Sequence, residues 1–442
     1  MESHRLKNGL NIVYEKPTND LPLTSINIFV RLGSIHETQG YRGSSHFIEH
    51  MCFKGTRNIP KAYTISAKFD EMGAHINAYT QKEYTCYEVK CGNQHVNKAI
   101  QLLSDMLMNS VFDKKDYELE KKVVKEENVR DNDNPDYIIE TMSDKILFSG
   151  SSYEMPIDDL IYHTDKNNLL KYDKIVEIYH DFYTPQNMVF SIVSNLSFDK
   201  IKKSIQNSYL AKPVTKPIVD HNKYFVHRTL KPQTEIKYDF LKKRGIEATH
   251  IEISFRVCDH HSPDRFILYV LSQLLGGTMS SRLFTKLREE NGLTYESSCV
   301  TDFNDLSGKI VLTATTDSKK ILKNGGKKGV FPLMIDILKT IRNKGIENEE
   351  LTKVKNSIQG HYMESLEDSF IQTEHNGLYK LIYGSEDWCT YSEIYDKKIK
   401  NITREQIQRV IQEYLLKPHM VVCMVGENIP SIESVAKICE TY

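Results

Sequence analysis

Ser44-Ser45-His46-Phe47-Ile48-Glu49-His50-Met51-Cys52-Phe53 is the stretch whose reading organises the rest of the chain. Written on a helix, His46 and His50 stand at i and i+4, so both imidazoles leave one face a turn apart. That spacing suits two ligands of a single zinc ion, and Glu49 flanks the same face. Phe47, Ile48, Met51 and Cys52 collect on the opposite side, where they can enter a core. Ser44 or Ser45 can cap the start of the helix, and Lys54-Gly55 supplies a stop. The order H-x-x-E-H is also compatible with two hydrogen-bonded histidines on a half-exposed helix, and context has to decide between the readings.

Outward from this helix, residues 11–14 and 25–32 alternate as strands do, and 64–72 reads as a short amphipathic helix stopped by Gly73. Strands at 76–80 and 84–90 follow, then a helix over 96–108 and a highly charged one over 114–130. The breaker Asp131-Asn132-Asp133-Asn134-Pro135 closes the latter. Helices over 138–147 and 174–182 and a buried strand over 188–194 end the first half. Pro213, Pro217 and Pro232 punctuate a weakly periodic connection. The order of elements then repeats, from a strand at 250–257 through helices to a closing strand at 420–425. The expected fold class is α+β: two structurally similar domains, each an antiparallel-rich sheet with helices packed on one face. The expected boundaries are 1–210, a connecting segment at 211–235, and 236–442 without the H-x-x-E-H pattern.

Composition narrows the function classes. Hydrophobic content of 40% and charged content of 26% suit a soluble globular protein, and 442 residues allow two large domains. A net charge of −1 gives no field to steer the chain to nucleic acid or an anionic membrane. No apolar run approaches a membrane span, and the N-terminus resembles neither a signal peptide nor a transit peptide. A cytoplasmic or other reducing compartment is expected. The eight cysteines form no C-x-x-C pair, so buried free thiols are expected rather than disulfides.

Two histidines leave a catalytic zinc one protein ligand short. The charged helix offers Glu118, Glu120, Glu126 and Glu127, of which Glu120 and Glu127 share a face, two turns apart. At this point the chain resembles the pitrilysin-type (inverzincin) metallopeptidases, in particular the half-length branch related to mitochondrial processing peptidase and bacterial processing-peptidase-like proteins. Seventy-six residues separate His50 from Glu127, and Val123-Val124-Lys125-Glu126-Glu127 is similar to the family's ligand segment. The resemblance implies a zinc endopeptidase acting on peptides or unfolded segments. It implies one Zn2+ per chain on His46, His50 and Glu127, with Glu49 as general base for a zinc-bound water and Glu120 as the supporting acid. It implies substrate binding along Asn77-Ala78-Tyr79, and an Arg/Tyr pair, Arg288 and Tyr295, completing the site from the second domain.

The resemblance also bears on assembly. Full-length members enclose a chamber with four such units, so a two-unit chain is expected to form a homodimer, with a heterodimer as the competitor. The other functional reading is a catalytically idle scaffold or partner subunit. Lesser candidates are weaker on sequence grounds. His75 reads as a locally bonded strand histidine, and Cys258-Asp259-His260-His261 lacks a partner ligand at a defined spacing. Glu374-His375 reads as a solvated helix face, Gly325-Gly326-Lys327-Lys328 as an exposed loop, and residues 241–245 as a hairpin tip.

Overall fold

The computed structural model describes residues 1–37, 41–157, 171–213, 224, 228–383 and 388–442, so part of the expected 211–235 connection lies outside the described residues. The first sheet is built from β1 (Glu2–Arg5), β2 (Asn11–Glu15), β3 (Leu23–Val30), β4 (His75–Thr80), β5 (Thr85–Gly92) and β6 (Met188–Ser194). Its order is β1-β2-β6-β3-β5-β4, antiparallel except for the β2–β6 pair. β4 is therefore an edge strand.

The second sheet uses β7 (Lys237–Lys242), β8 (Ala248–Val257), β9 (Glu296–Phe303) and β10 (Gly308–Asp317). After the small hairpin of β11 (Lys323–Asn324) and β12 (Lys327–Lys328), β13 (Met420–Gly426) completes it. The order β7-β13-β8-β10-β9, with β7 and β13 parallel, repeats β2-β6-β3-β5-β4 strand for strand. The α+β class with two similar sheet-plus-helix domains is thus the observed architecture. Residues 241–245 are not a hairpin tip, because β13 lies between β7 and β8. Gly325-Gly326, expected as an exposed loop, is exposed and forms the turn of the β11–β12 hairpin.

The helices are α1 (Ser44–Met51), α2 (Ala62–Asp70), α3 (Val96–Asn109), α4 (Lys114–Asp131), α5 (Pro135–Leu147), α6 (Tyr172–Phe182) and α7 (Phe198–Gln206), and then α8 (Asp264–Ser272), α9 (Val330–Lys344), α10 (Asn348–Ser365), α11 (Ser369–Leu378), α12 (Arg404–Tyr414) and α13 (Ile432–Cys439). None is long and apolar enough to cross a membrane, among the described residues. Strand alternation gives each sheet two buried faces. Ile26, Ile28 and Val30 of β3 share one core with Phe47, Ile48 and Met51 of α1 and Leu103 of α3. Phe29 faces the other way, with Val13, Cys86 and Val189, against Leu378.

That second face is covered from far along the chain. α4 and α10 occupy equivalent places and each has 18 residues. The helix after each goes to the other sheet: α11 packs on β3 and β6, and α5 on β8 and β13. The compact units are accordingly Met1–Val129 with Met155–His227 and Met363–Ser392, and Arg130–Glu154 with Arg228–Tyr362 and Glu393–Tyr442. They do not follow the linear 1–210 and 236–442 blocks. The contact with β3 is close, since a Cβ at Gly377 would lie 2.1 Å from Phe29 Cε2.

Polar links are numerous on this face. The Ser25 and Ser369 hydroxyls are 2.7 Å apart, Ser191 Oγ donates to the Thr373 carbonyl at 2.7 Å, and Tyr79 Oη donates to Glu374 at 2.7 Å. Glu374-His375 is therefore no solvated face: His375 Nε2 lies 2.8 Å from the Cys389 carbonyl. Small polar residues line the buried side of α11, so hydrophobic periodicity did not announce it.

The second sheet holds a charge where α5 covers it. Lys309 on β10 is buried and bonds Asp144 at 2.7 Å and Glu140 at 2.9 Å, both on α5. Asp144 is buried as well, so the pair depends on both members. Lys309→Ala is expected to reduce the unfolding free energy by about 3–5 kcal/mol, because it strands a buried carboxylate. Lys309→Met combined with Asp144→Leu should recover most of the loss in denaturant titrations. A single-variant loss below about 1 kcal/mol would contradict the stabilising role.

Candidate metal centre

α1 begins at Gly43, whose φ of 78° is left-handed and favours glycine. Ser44 and Ser45 do not cap it; both are buried within the first turn. The cap is Glu37, whose two carboxylate oxygens accept from Gly43 N at 2.6 Å and Ser45 N at 2.7 Å. A carboxylate at this end also complements the helix dipole. Phe47, Ile48, Met51 and Cys52 are fully buried, as the apolar stripe requires. The Phe47 ring meets Tyr117 of α4 edge-on at 4.9 Å, which sets one helix against the other.

On the far side of α1 three donor atoms converge. His46 Nε2 and His50 Nε2 are 3.0 Å apart. Glu127 Oε2, from α4, lies 3.4 Å from His50 Nε2 and 4.0 Å from His46 Nε2. Glu126, one residue earlier, is exposed. With zinc–nitrogen bonds near 2.0–2.1 Å, the donors of a tetrahedral site stand roughly 3.3 Å apart. The three observed separations bracket that value, and two imidazoles with one carboxylate are a zinc-type donor set. These three residues fit the metal that the sequence suggests.

Behind the donors stands Glu120, buried on α4 two turns before Glu127. Its Oε1 lies 2.8 Å from His50 Nδ1 and its Oε2 is 2.5 Å from Lys54 Nζ. Burial opposes its charge, yet the bonds from His50 and Lys54 hold its carboxyl below the ordinary carboxylate range. An ionised Glu120 makes His50 Nδ1 the protonated nitrogen and leaves the Nε2 lone pair for a metal. Sequence reasoning did not find Lys54, which it assigned only to the helix stop.

Glu49 is buried, and Thr80 Oγ1 donates to its Oε2 at 2.6 Å. Thr80, the last residue of β4, is a second positioning residue not anticipated. Asn77 and Ala78 lie on the same edge strand, Asn77 Nδ2 reaching Glu88 at 3.4 Å. The Tyr79 side chain turns to the opposite sheet face, toward Glu374. His75 is exposed, with its ring 6.0 Å from Phe370. In the second unit Arg288 Nη1 donates to the Tyr295 carbonyl at 3.1 Å, and Tyr295 is 92% exposed. Arg282 is a structural anchor, bonded to Glu350 by two nitrogens at 2.9 and 2.8 Å. All eight cysteines are free thiols, seven of them buried.

Comparison with known proteins identifies the family. Residues 13–158 match the model described as Insulinase (Peptidase family M16), and residues 170–358 match that described as Peptidase M16 inactive domain. The chain is 31% identical over 417 residues to the uncharacterized zinc protease YmxG of Bacillus subtilis, covering 93% of this chain and 94% of that one. An uncharacterized zinc protease of Streptomyces coelicolor is 26% identical over 415 residues, covering 93% and 86%. Among solved structures, a protease from Helicobacter pylori shares the fold with a TM-score of 0.85 at 19% identity, covering 96% of this chain and 99% of that one. A peptidase M16 inactive domain from Pseudomonas fluorescens has a TM-score of 0.80 at 18% identity, covering 98% of each chain. The chain belongs to peptidase family M16.

The two glutamates on α4 make different predictions for the metal. Glu120→Gln is expected to weaken zinc binding about 10–100-fold through His50, and Glu127→Gln to weaken it further. Glu126→Gln should leave metal content unchanged after dialysis. Greater metal loss from Glu126→Gln than from Glu127→Gln would overturn the placement of the third donor.

Proposed function

We propose that the chain is a zinc-dependent endopeptidase hydrolysing peptide bonds in peptides or unfolded protein segments. The observation that carries this reading is the convergence of Glu127 from α4 with His46 and His50 of α1, the helix that also bears Glu49, in a chain of family M16. Zinc held there supplies a Lewis acid for the scissile carbonyl and acidifies water. Glu49 accepts the proton of the attacking water at its carboxylate and hands it to the leaving amine. Thr80 keeps that carboxylate oriented, and Glu120 does the same for His50. An extended substrate adds to the open edge of β4 through the backbone of Asn77, Ala78 and Tyr79, which tolerates varied side chains. The role proposed for Arg288 and Tyr295 is hydrogen-bond donation to the charge developing on the carbonyl oxygen. The second unit lacks the H-x-x-E-H pattern, so one centre serves each chain. A two-fold homodimer is the simplest closed assembly able to form the four-unit chamber that the resemblance implies.

A panel of fluorescence-quenched peptides tests the reading. The zinc-loaded chain should behave as a dimer in light scattering, cleave members of the panel, lose activity to a chelator and regain it with zinc. Glu49→Gln should keep its metal and lose about 10²–10⁴-fold in rate. Wild-type turnover by that variant would remove Glu49 as the base. No cleavage by the metal-loaded wild type would favour an idle partner subunit.

A further inference from the structure

The second unit contains a cluster with the geometry of the first centre and no part in the reaction above. His260 and His261 lie in the loop between β8 and α8, and Asp305 lies in the turn between β9 and β10. The Nε2 atoms of the two histidines are 3.0 Å apart. Asp305 Oδ1 is 3.0 Å from His261 Nε2 and 3.7 Å from His260 Nε2. These separations bracket the roughly 3.3 Å between donors of a tetrahedral zinc site, as those of His46, His50 and Glu127 do. The donor set is also the same, two imidazoles and one carboxylate.

The surroundings hold these atoms in place. His260 N donates to the Asn304 carbonyl at 3.1 Å, joining the two loops through backbone. Asp259 Oδ1 accepts from His261 N at 2.8 Å and Ser262 N at 3.1 Å, which fixes the turn that points adjacent imidazoles inward. Arg265 Nη1 donates to the His260 carbonyl at 2.5 Å. Arg228 Nη2 pairs with Asp305 Oδ2 at 3.2 Å, so the carboxylate presents its other oxygen to the histidines. His260 is fully buried, whereas His261 is half exposed, giving solvent access from one side.

We propose that His260, His261 and Asp305 form a second divalent-metal site, for zinc or a similar imidazole-binding transition ion. Two nitrogen donors disfavour calcium and magnesium, which take oxygen ligands. The site joins the β8–α8 loop to the β9–β10 turn, so its role is a staple between connections that lie 44 positions apart at His261 and Asp305. The competing arrangement is an N–H···N bond between the two rings, with no ion.

Metal counting on the full chain separates them. Stripped protein is loaded at micromolar free zinc, freed of excess ion, and its metal is measured by mass spectrometry alongside calorimetric titration. The wild type should hold two equivalents. His261→Ala and Asp305→Asn, both checked for folding by circular dichroism, should each hold one and weaken the second binding event roughly 100-fold or more. The double variant His46→Ala/His50→Ala should retain one equivalent, and adding His261→Ala to it should abolish that. A wild type with a single equivalent that His46→Ala/His50→Ala removes would overturn the proposal. So would two equivalents kept by both His261→Ala and Asp305→Asn.

Discussion

A buried carboxylate that stays ionised governs the first unit. Glu120 has little solvent, and its charge persists because His50 Nδ1 and Lys54 Nζ flank it. That charge selects the tautomer of His50, and the tautomer leaves a lone pair on the nitrogen that faces His46 and Glu127. The same contact fixes the distance between α1 and α4, which the Phe47–Tyr117 ring pair reinforces from the apolar side. Glu127 reaches the donor cluster because it is two turns after Glu120 on a helix already located. Neutralising one side chain would thus disturb ring orientation, helix spacing and donor set together.

The second unit shows what the shared layout leaves undetermined. Its five strands repeat the order of the first sheet, yet the loops and helix faces carry different residues. Where the first unit has the H-x-x-E-H helix, the second has an apolar α8 that continues into a wider π-helical turn at Gln273–Gly277. One of its buried charged pairs is Lys309 with Asp144, a link between β10 and α5. Layout repeats because it rests on strand pairing and burial, whereas chemistry rests on a few side chains that can change independently.

What was legible in the sequence was local. The i and i+4 histidines, the apolar side of α1 and the shared face of Glu120 and Glu127 follow from helix periodicity within one element. The strands at residues 25–32 and 188–194 were legible from unbroken apolar or alternating runs, and the structure finds them at Leu23–Val30 and Met188–Ser194. Contacts between distant segments were not. Glu37 caps α1 from eight positions before Ser45, Thr80 meets Glu49 across 31 positions, and α11 covers a sheet laid down by the first half. Asp305 escaped notice for the same reason, since the β9–β10 pairing brings it to His261. α11 also hid its buried face behind serine, threonine, glutamine and asparagine rather than an apolar stripe; of these, Ser369 bonds Ser25 of β3 and Asn376 bonds Glu15 of β2.

The proposed chemistry depends on α1 and α4 together holding one zinc ion through His46 Nε2, His50 Nε2 and a Glu127 carboxylate oxygen. Anomalous diffraction from crystals of the zinc-loaded chain, collected on both sides of the zinc absorption edge, tests it most directly. The expected result is a peak at α1 about 2.0–2.2 Å from His46 Nε2, His50 Nε2 and a Glu127 carboxylate oxygen, with Glu120 bonded to His50 Nδ1 and off the metal. A peak bound through Glu126 or Glu120, or through the Nδ1 atom of either histidine, would contradict it. So would the absence of any peak at α1.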